Sequence, residues 1–587
     1  MYEVSEMKEV LQAGLGQTPC DLKLANVRLV NVWSGEIYPT DIYVKGKRIV
    51  SIDPEAGLEA LEVIDCGGSY ATPGLIDAHM HVETTCLTPE ALSTLIVPSG
   101  TTTICADLME IANVAGPEGL KAMLANMERM PCRMLLEIPS RVPTAPGLET
   151  TGGILGPAEV AELLSMDESI TLGELDPSKI LGVMDEYLEK VSGALGQRKL
   201  VNGHAIGRMG QELNVYAAGG ISDDHECVTG DEMVARQRVG MFALIREGST
   251  ERNLDELVSQ ALERGCKLDH LCFCTDDKHP GDIMREGHIS YNVRRSIELG
   301  MDPVDAVSIG SINAAKHFRM EDWAGSIAPA RMADILIVDD LAEFKPSMVF
   351  FEGKLVARGG HLLDEPEVGD YPDWICDTVH LKSPITEKSF ACPASVEQGR
   401  VRANVIRMIE RQIINTWAVE EMPVEGGEIV ADPTRDILKL SVVERYGKNG
   451  NVGTGFVQGF GLARGALAFS TSHDHHNIVC IGVDDASMAT AVNEVARIHG
   501  GMACADGEKV VDSLPLPIGG LMSDKPAREV MVAIDRMNES AASLGCSLPS
   551  PFMALSFISL PTVPELGLTD LGLVDVIAHK LISVEVQ

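Results

Sequence analysis

Basic residues are scarce in this chain, and acidic residues are abundant. The sequence has 48 lysines and arginines against 86 aspartates and glutamates, which gives a formal net charge of -38. Such a charge repels phosphate backbones and anionic membrane surfaces, so neither nucleic acid nor a membrane is an expected partner. The acidity itself needs no explanation beyond the solubility of a cytoplasmic protein.

Long apolar runs and paired cysteine motifs are also missing. No stretch approaches the ~20 apolar residues that cross a bilayer, and residues 1–16 lack the basic start and the uninterrupted apolar core of a signal peptide. The 14 cysteines include no CxxC pair, and several, such as Cys105 and Cys480, lie inside apolar runs. We therefore expect free, buried thiols in a reducing compartment, and a cytoplasmic protein.

The 587 residues are too many for one ordinary core, and their patterning predicts three parts. Short β-like runs in residues 1–74 and again in residues 325–375 predict a small β-sandwich domain assembled from both flanks. Between them, in residues 75–324, apolar runs alternate with helix-like stretches, which is typical of parallel strands with helical crossovers. Residues 376–587 are expected to form a separate α+β domain, with a helix over residues 401–415.

Eight candidate strands in about 200 residues have the number and spacing of a (β/α)8 barrel of the TIM type. The fold class is therefore predicted to be α/β, with a barrel between the two flanks of the small sheet domain. The candidate strands cover residues 75–79, 101–105, 134–138, 170–172, 200–202, 215–221, 241–245 and 271–274.

In such a barrel the active site lies at the carboxyl ends of the strands, so functional residues should follow the apolar runs. Five of the eight runs end at or just before residues that bind metals in other proteins. These residues are His79 and His81 at the first strand, Glu174 at the fourth, His204 at the fifth, His225 at the sixth and Asp276 at the eighth. Alone, each is more often a core histidine or a helix cap; together they predict a metal centre.

Six donors are more than one catalytic ion needs, because such an ion keeps a position open for water. We therefore predict two divalent ions, one bound by His79, His81 and Asp276 and the other by His204 and His225, with Glu174 spanning both. Imidazole and carboxylate donors without thiolates suit Mn(II), Fe(II) or Zn(II).

The chain also resembles a known family through motifs spread over nearly its whole length. The stretch PGLIDAHMHVETT at residues 73–85 is similar to the amidohydrolase superfamily. SDDHE at 222–226, CTDDKHP at 274–280, SHDHHN at 472–477 and LPLPIGGLMSD at 514–524 resemble more specifically the bacterial adenine deaminases. Glu174 stands where many two-metal relatives carry a carboxylated lysine. Gly207 stands where one-metal adenosine deaminases carry a catalytic glutamate, so that mechanism does not transfer.

The resemblance implies hydrolytic deamination of adenine to hypoxanthine and ammonia, with two Mn(II) or Fe(II) ions, or Zn(II), activating the attacking water. Asp276 is the expected proton carrier, with a simple ligand role as the alternative. Glu83 is expected either to protonate or hydrogen-bond a ring nitrogen, or to orient His81.

Substrate contacts are harder to predict than metal ligands. Arg246 and Glu247 follow the seventh strand and are candidates for binding the purine edge, or for pairing with each other. The cluster at 472–477 offers His473, Asp474 and His476, which can contact substrate, bind metal or cover the barrel mouth, although a solvated loop is the default.

Two other functions remain open from the sequence. One is a cyclic amide hydrolase of the hydantoinase or dihydroorotase type, and the other is a non-catalytic protein that binds metal or purine. A symmetric homo-oligomer, a dimer or larger, is the general expectation for such a protein.

Overall fold

The computed structural model describes residues 2–409, 415–562 and 565–586. It begins with helix α1 (Val4–Gly14) and five strands, which lead into the barrel. These strands are β1 (Cys20–Asn31), β2 (Glu36–Lys45), β3 (Arg48–Ser51), β4 (Ala60–Asp65) and β5 (Tyr70–Pro73).

The barrel contains eight parallel strands in the middle of the chain. They are β6 (Leu75–Met80), β7 (Thr101–Asp107), β8 (Arg133–Ile138), β9 (Ser169–Leu175), β10 (Leu200–Gly203), β11 (Asp223–Asp224), β12 (Phe242–Arg246) and β13 (Leu271–Cys274). Strands β6 to β10 form one hydrogen-bonded series and β11 to β13 another. The Ser222 amide donates to the Val201 carbonyl (2.9 Å), and the Asp276 amide donates to the His79 carbonyl (3.0 Å). These two bonds close the barrel, so the predicted fold class is confirmed.

Helices cover the outside of the strands, as expected for crossover connections. They are α2 (Pro89–Ile96), α3 (Met109–Leu124), α4 (Pro157–Leu164), α5 (Pro177–Leu181), α6 (Asp185–Gly196), α7 (Gly210–Ala218), α8 (Gly230–Arg238), α9 (Leu254–Arg264), α10 (Pro280–Glu286), α11 (Ile289–Glu298), α12 (Pro303–Ile309) and α13 (Ile312–His317). Proline starts several of them, where its missing N–H costs nothing. All six residues of β6 are buried, as in a parallel strand covered on both faces.

After the barrel the chain returns to the first sheet. Strands β14 (Ile335–Val338), β15 (Pro346–Phe351), β16 (Lys354–Arg358) and β17 (His361–Leu362) join β1 to β5 in one nine-stranded sheet. The link is β5, which pairs with β1 on one side and with β14 on the other. The predicted small sheet domain therefore takes strands from both flanks of the barrel.

The last part of the chain is built on a second nine-stranded sheet. Its strands are β18 (Gly399–Met408), β19 (Asn415–Glu425), β20 (Glu428–Ile429), β21 (Ile437–Val443), β22 (Val452–Gln458), β23 (Ala466–Phe469), β24 (Ile478–Gly482), β25 (Gly501–Asp506) and β26 (Lys509–Pro515). Helices α14 (Asp485–Arg497), α15 (Ala527–Ser543) and α16 (Pro551–Phe557) accompany this sheet. A three-stranded sheet of β27 (Leu566–Thr569), β28 (Gly572–Asp575) and β29 (Lys580–Ile582) follows.

Two predicted elements are wrong. The sixth barrel strand was predicted at residues 215–221, but Val215 lies in α7 and the strand is the short β11. The apolar spacing explains the error, because Leu213 and Tyr216, three residues apart, are buried on one helix face while Val215 is exposed. The helix predicted over 401–415 is instead the strand β18 over residues 401–408. Buried Val401 and Ala403 lie on either side of exposed Arg402, and Val401, Ala403 and Val405 each pair with a residue of β19. Residues 410–414 of that prediction lie outside the described residues.

The fourteen cysteines are free, and most of them are buried. No helix in the described part of the chain is both long and apolar enough to span a bilayer.

Candidate active site

The carboxyl ends of the barrel strands bring the six predicted metal ligands into one buried cluster. His79 lies in β6 and Glu174 in β9, while His81, His204, His225 and Asp276 follow β6, β10, β11 and β13. None of the six is more than 8% exposed. They are distant in sequence and meet only because parallel strands end at the same rim of the barrel.

The Glu174 carboxylate lies between two groups of histidines. Its Oε2 is 3.0 Å from His204 Nδ1 and 3.2 Å from His225 Nε2, and its Oε1 is 3.9 Å from His81 Nε2. The two oxygens therefore face different imidazoles, as required of a carboxylate shared by two ions. Gly173 makes this position possible, because a Cβ there would lie 2.2 Å from an oxygen of Asp107.

Asp276 completes the other side of the cluster. Its Oδ1 is 3.8 Å from His79 Nε2 and 3.5 Å from His81 Nε2, and its Oδ2 accepts a hydrogen bond from Arg246 Nη1 at 2.7 Å. Burial opposes ionisation, but Arg246 and the nearby histidines hold the pKa of Asp276 below its usual range. The residue is therefore a carboxylate at neutral pH.

The imidazole orientations fit metal binding. His79 Nδ1 contacts Glu137 Oε2 at 2.7 Å and His81 Nδ1 contacts the Asp107 carbonyl at 2.9 Å, so both rings turn Nε2 towards the cluster. His79 Nε2 is buried and has no hydrogen-bond partner among the described residues. A metal-binding histidine usually donates its other N–H to a carboxylate or carbonyl in this way.

The donor atoms also lie close enough together to share ions. Ligand atoms lie within 4.8 Å of one another in each of three overlapping groups: His79, His81 and Glu174; Glu174, His204 and His225; and His79, His225 and Asp276. The residues present thus fit a pair of divalent cations with Glu174 between them.

Buried arginines offset the negative charge around the cluster. Arg141 donates to Glu174 Oε1, and Arg246 pairs with Glu226 Oε1 at 2.6 Å as well as with Asp276. Although burial alone would raise it, the pKa of Glu174 is held well below its usual range by Arg141 and His204. Glu174 and Asp276 are therefore both in the ionised form that binds cations.

Sequence reasoning missed five residues of this site: Asp107, Glu137, Glu110, Arg141 and Glu226. A signal exists for the first two, because Asp107 and Glu137 lie at the ends of the second and third strands, as the predicted ligands do at other strands. Glu226 directly follows His225. No local pattern distinguishes Arg141 or Glu110, since their partners lie far away in the sequence.

A pocket opens beside the ligands and is roofed by the last domain. From the barrel it is lined by His81, Glu226 and Arg246, among others. From the last domain, the β23–β24 loop contributes His473 and Asp474, and Phe557, Leu560 and Thr562 come from the end of α16 and beyond. The His473 ring stacks on Phe557 with centroids 4.2 Å apart. The cluster at 472–477 is therefore buried at the barrel mouth and is not a solvated loop.

Some predicted substrate residues lie elsewhere. Glu247 is buried outside the lining of this pocket, where it accepts a hydrogen bond from the Leu254 amide at 3.2 Å and contacts Arg252 at 3.3 Å. It does not pair with Arg246, whose partners are Glu226 and Asp276. His476 is also outside the lining.

Glu83 lines a smaller cavity, which shares His473 and Phe557 with the main pocket. Its Oε1 accepts from the Ile111 amide at 3.1 Å, and Oε2 has no partner among the described residues. His81 Nδ1 instead contacts the Asp107 carbonyl at 2.9 Å, and Glu110 Oε2 lies 3.4 Å from the same nitrogen. Burial, and then the charge of Glu110, raises the pKa of Glu83 well above its usual value.

The barrel, the composite sheet and the ligand cluster define a hydrolase of the amidohydrolase type. The amidohydrolase family model matches residues 70–247 and 251–356, and the adenine deaminase C-terminal domain model matches residues 412–580. An adenine deaminase of Desulforamulus reducens is 52% identical over 585 residues, covering 100% of this chain and 99% of that protein. An adenine deaminase of Methanothrix thermoacetophila is 40% identical over 573 residues, covering 97% and 98%. The chain belongs to the adenine deaminase family.

Proposed function

We propose that this protein hydrolyses adenine to hypoxanthine and ammonia. The observation that carries the proposal is the match to adenine deaminases at up to 52% identity over the full length, in a chain whose six donors meet in one site. The reaction is an attack of water at C6 of the purine followed by loss of the amino group, and it requires two proton transfers.

We further propose that His79, His81, Glu174, His204, His225 and Asp276 hold two divalent ions, Mn(II) or Fe(II), with Zn(II) as the alternative. Cations bound there would lower the pKa of water and so supply a nucleophile near neutral pH. The contacts of His79 with Glu137 and of His81 with Asp107 would fix the rings for this purpose.

Asp276 is proposed to carry protons in the reaction. Its carboxylate is ionised, faces both His79 and His81, and is positioned by the hydrogen bond from Arg246. It can therefore take a proton from the attacking water and pass it to the departing amino group. Glu83, whose pKa is raised by burial and by the charge of Glu110, is proposed as the donor to a ring nitrogen from the adjoining cavity.

The proposed substrate contacts are Arg246, His473 and Asp474, which line the pocket. Glu247 and His476 lie away from the pocket and are therefore not proposed as substrate contacts. A neutral free base suits a protein of net charge -38 better than a phosphorylated substrate, which would favour basic residues. A cytoplasmic location and a homo-oligomer remain predictions from the sequence.

A product assay tests this function directly. Mn(II)-loaded protein is incubated separately with adenine, a hydantoin and a dihydropyrimidine, and hypoxanthine and ammonia are quantified. We expect equal amounts of both products from adenine and none from the cyclic amides. Hydrolysis of a cyclic amide with adenine unchanged would favour the cyclic amide hydrolase. Adenine binding without turnover of any substrate would favour a sensor.

A further inference from the structure

A second cluster of metal-ligand side chains lies where the barrel meets the last domain. Glu110 comes from the first turn of α3, and His473 and His476 come from the β23–β24 loop. The three offer ligand atoms within 4.8 Å of one another, and none is more than 4% exposed. None of them belongs to the six-residue cluster described above.

Three polar atoms of this second cluster lack partners. Both ring nitrogens of His476 and Oε2 of Glu110 are buried and have no hydrogen bond to any described residue. The nearest contact of His473 Nδ1 with Glu110 is 3.6 Å, which is too long for a hydrogen bond. A buried polar atom without a partner is unfavourable, so several in one place indicate a missing ligand.

Glu110 has no permanently charged cationic partner. No lysine or arginine of the described chain pairs with it, and the nearest imidazole contact is His81, whose Nδ1 is 3.4 Å from Glu110 Oε2. A cation bound there would balance this buried carboxylate.

The loop that carries the two histidines is held in place independently. The His473 amide donates to the Ser556 carbonyl at 2.9 Å, and Tyr446 donates its hydroxyl hydrogen to the His475 carbonyl at 2.7 Å. Asn477 Nδ2 donates to the Thr150 carbonyl of the barrel at 2.8 Å. The backbone that carries the two imidazoles is therefore held in place without a ligand.

We propose that Glu110, His473 and His476 bind a divalent transition-metal cation, separate from the two-ion site. Two imidazoles and one carboxylate suit Mn(II), Fe(II) or Zn(II), with water in the remaining positions. The cation would link α3 of the barrel to the last domain and hold the roof of the pocket.

Metal counting tests the proposal. Equilibrium dialysis against Mn(II), followed by elemental analysis, compares the wild type with His476→Phe and with the matched control His361→Phe, whose histidine is exposed. We expect wild type and control to bind one equivalent more than His476→Phe. Equal counts in all three proteins would overturn the proposal. Loss of every tightly bound ion in a folded His476→Phe would overturn it too, because the site would not be separate.

A second variant tests the same site in case His476→Phe does not fold. Glu110→Gln keeps the size of the side chain but removes the anionic ligand, and it should also bind one equivalent less. Added Mn(II) should raise the melting temperature of Glu110→Gln less than that of the wild type, and an equal rise would contradict the site. Neither readout involves adenine, so failure of the product assay above would leave this result independent.

Discussion

At the scale of single residues, the contacts of Asp276 determine its predicted role. One carboxylate oxygen faces His79 and His81, and the other is fixed by Arg246. The group is thus an oriented carboxylate whose pKa is lowered chiefly by Arg246 against the effect of burial.

Asp276→Asn keeps the shape of this side chain but removes its ability to accept a proton. We expect kcat for adenine to fall by about 100- to 10,000-fold, the usual range for a lost acid–base group. Adenine binding, measured by calorimetry, should change little. Metal analysis is the control, because the variant must hold as much Mn(II) as the wild type. A near-normal kcat in the metal-loaded variant would reduce Asp276 to a simple ligand.

Glu137 acts on the site through His79. Glu137→Gln replaces the carboxyl group that contacts His79 Nδ1 at 2.7 Å with an amide, a weaker acceptor, so we expect the Mn(II) affinity to fall about 10- to 100-fold. Activity titrated with Mn(II) measures the change, and excess Mn(II) should restore most of the activity. Glu118→Gln, an exposed position on α3 with a side chain 70% exposed, is the matched control. Identical titration curves for both variants would contradict a positioning role.

That the six predicted ligands lie together could be anticipated because each follows an apolar run in the sequence, although the run before His225 lies largely in α7. The residues that orient them could be predicted only partly. Asp107 and Glu137 follow the same strand-end rule, whereas Arg141 and Glu110 act across distances that no local pattern records.

At the scale of elements, Glu247 supports the start of α9 and does not face the substrate pocket. Its carboxylate accepts from the Leu254 amide, and burial raises its pKa to about 7. Because the folded state favours the protonated form, this group contributes most to stability at low pH, and that contribution is lost as the pH rises towards 7.

Glu247→Gln should therefore change stability and leave catalysis intact. Glutamine keeps an acceptor for the Leu254 amide but does not titrate, so the unfolding free energy of the variant should improve relative to wild type between pH 5 and pH 8. Denaturant unfolding at both pH values measures this change. A large rise in KM for adenine would instead support the substrate contact predicted from the sequence.

Seven of the eight barrel strands could be located from their apolar runs, because parallel strands are buried on both faces. The sixth could not, since β11 has only two residues and both are aspartates. The helix prediction over 401–415 is wrong for a different reason. Buried and exposed residues do alternate at the start of β18, but apolar residues are frequent enough there to resemble a helix.

At the scale of the whole molecule, the last domain completes the pocket that the barrel begins. Arg141 Nη1 lies 3.8 Å from Asp474 Oδ2, and the Thr150 hydroxyl donates to Asp570 Oδ2 at 2.7 Å. These pairs are more than 300 residues apart in the sequence, so patterning could identify the last domain but not its position. The reaction could be predicted from the sequence motifs, whereas the residues of the last domain that cover the pocket are evident only in the structure.

The central claim is that six side chains hold two ions around Glu174. Anomalous diffraction at the manganese edge, from crystals grown with Mn(II), tests it directly. We predict two peaks enclosed by His79, His81, Glu174, His204, His225 and Asp276, with Glu174 in contact with both. A single peak in this cluster, or peaks that Glu174 does not touch, would contradict the account.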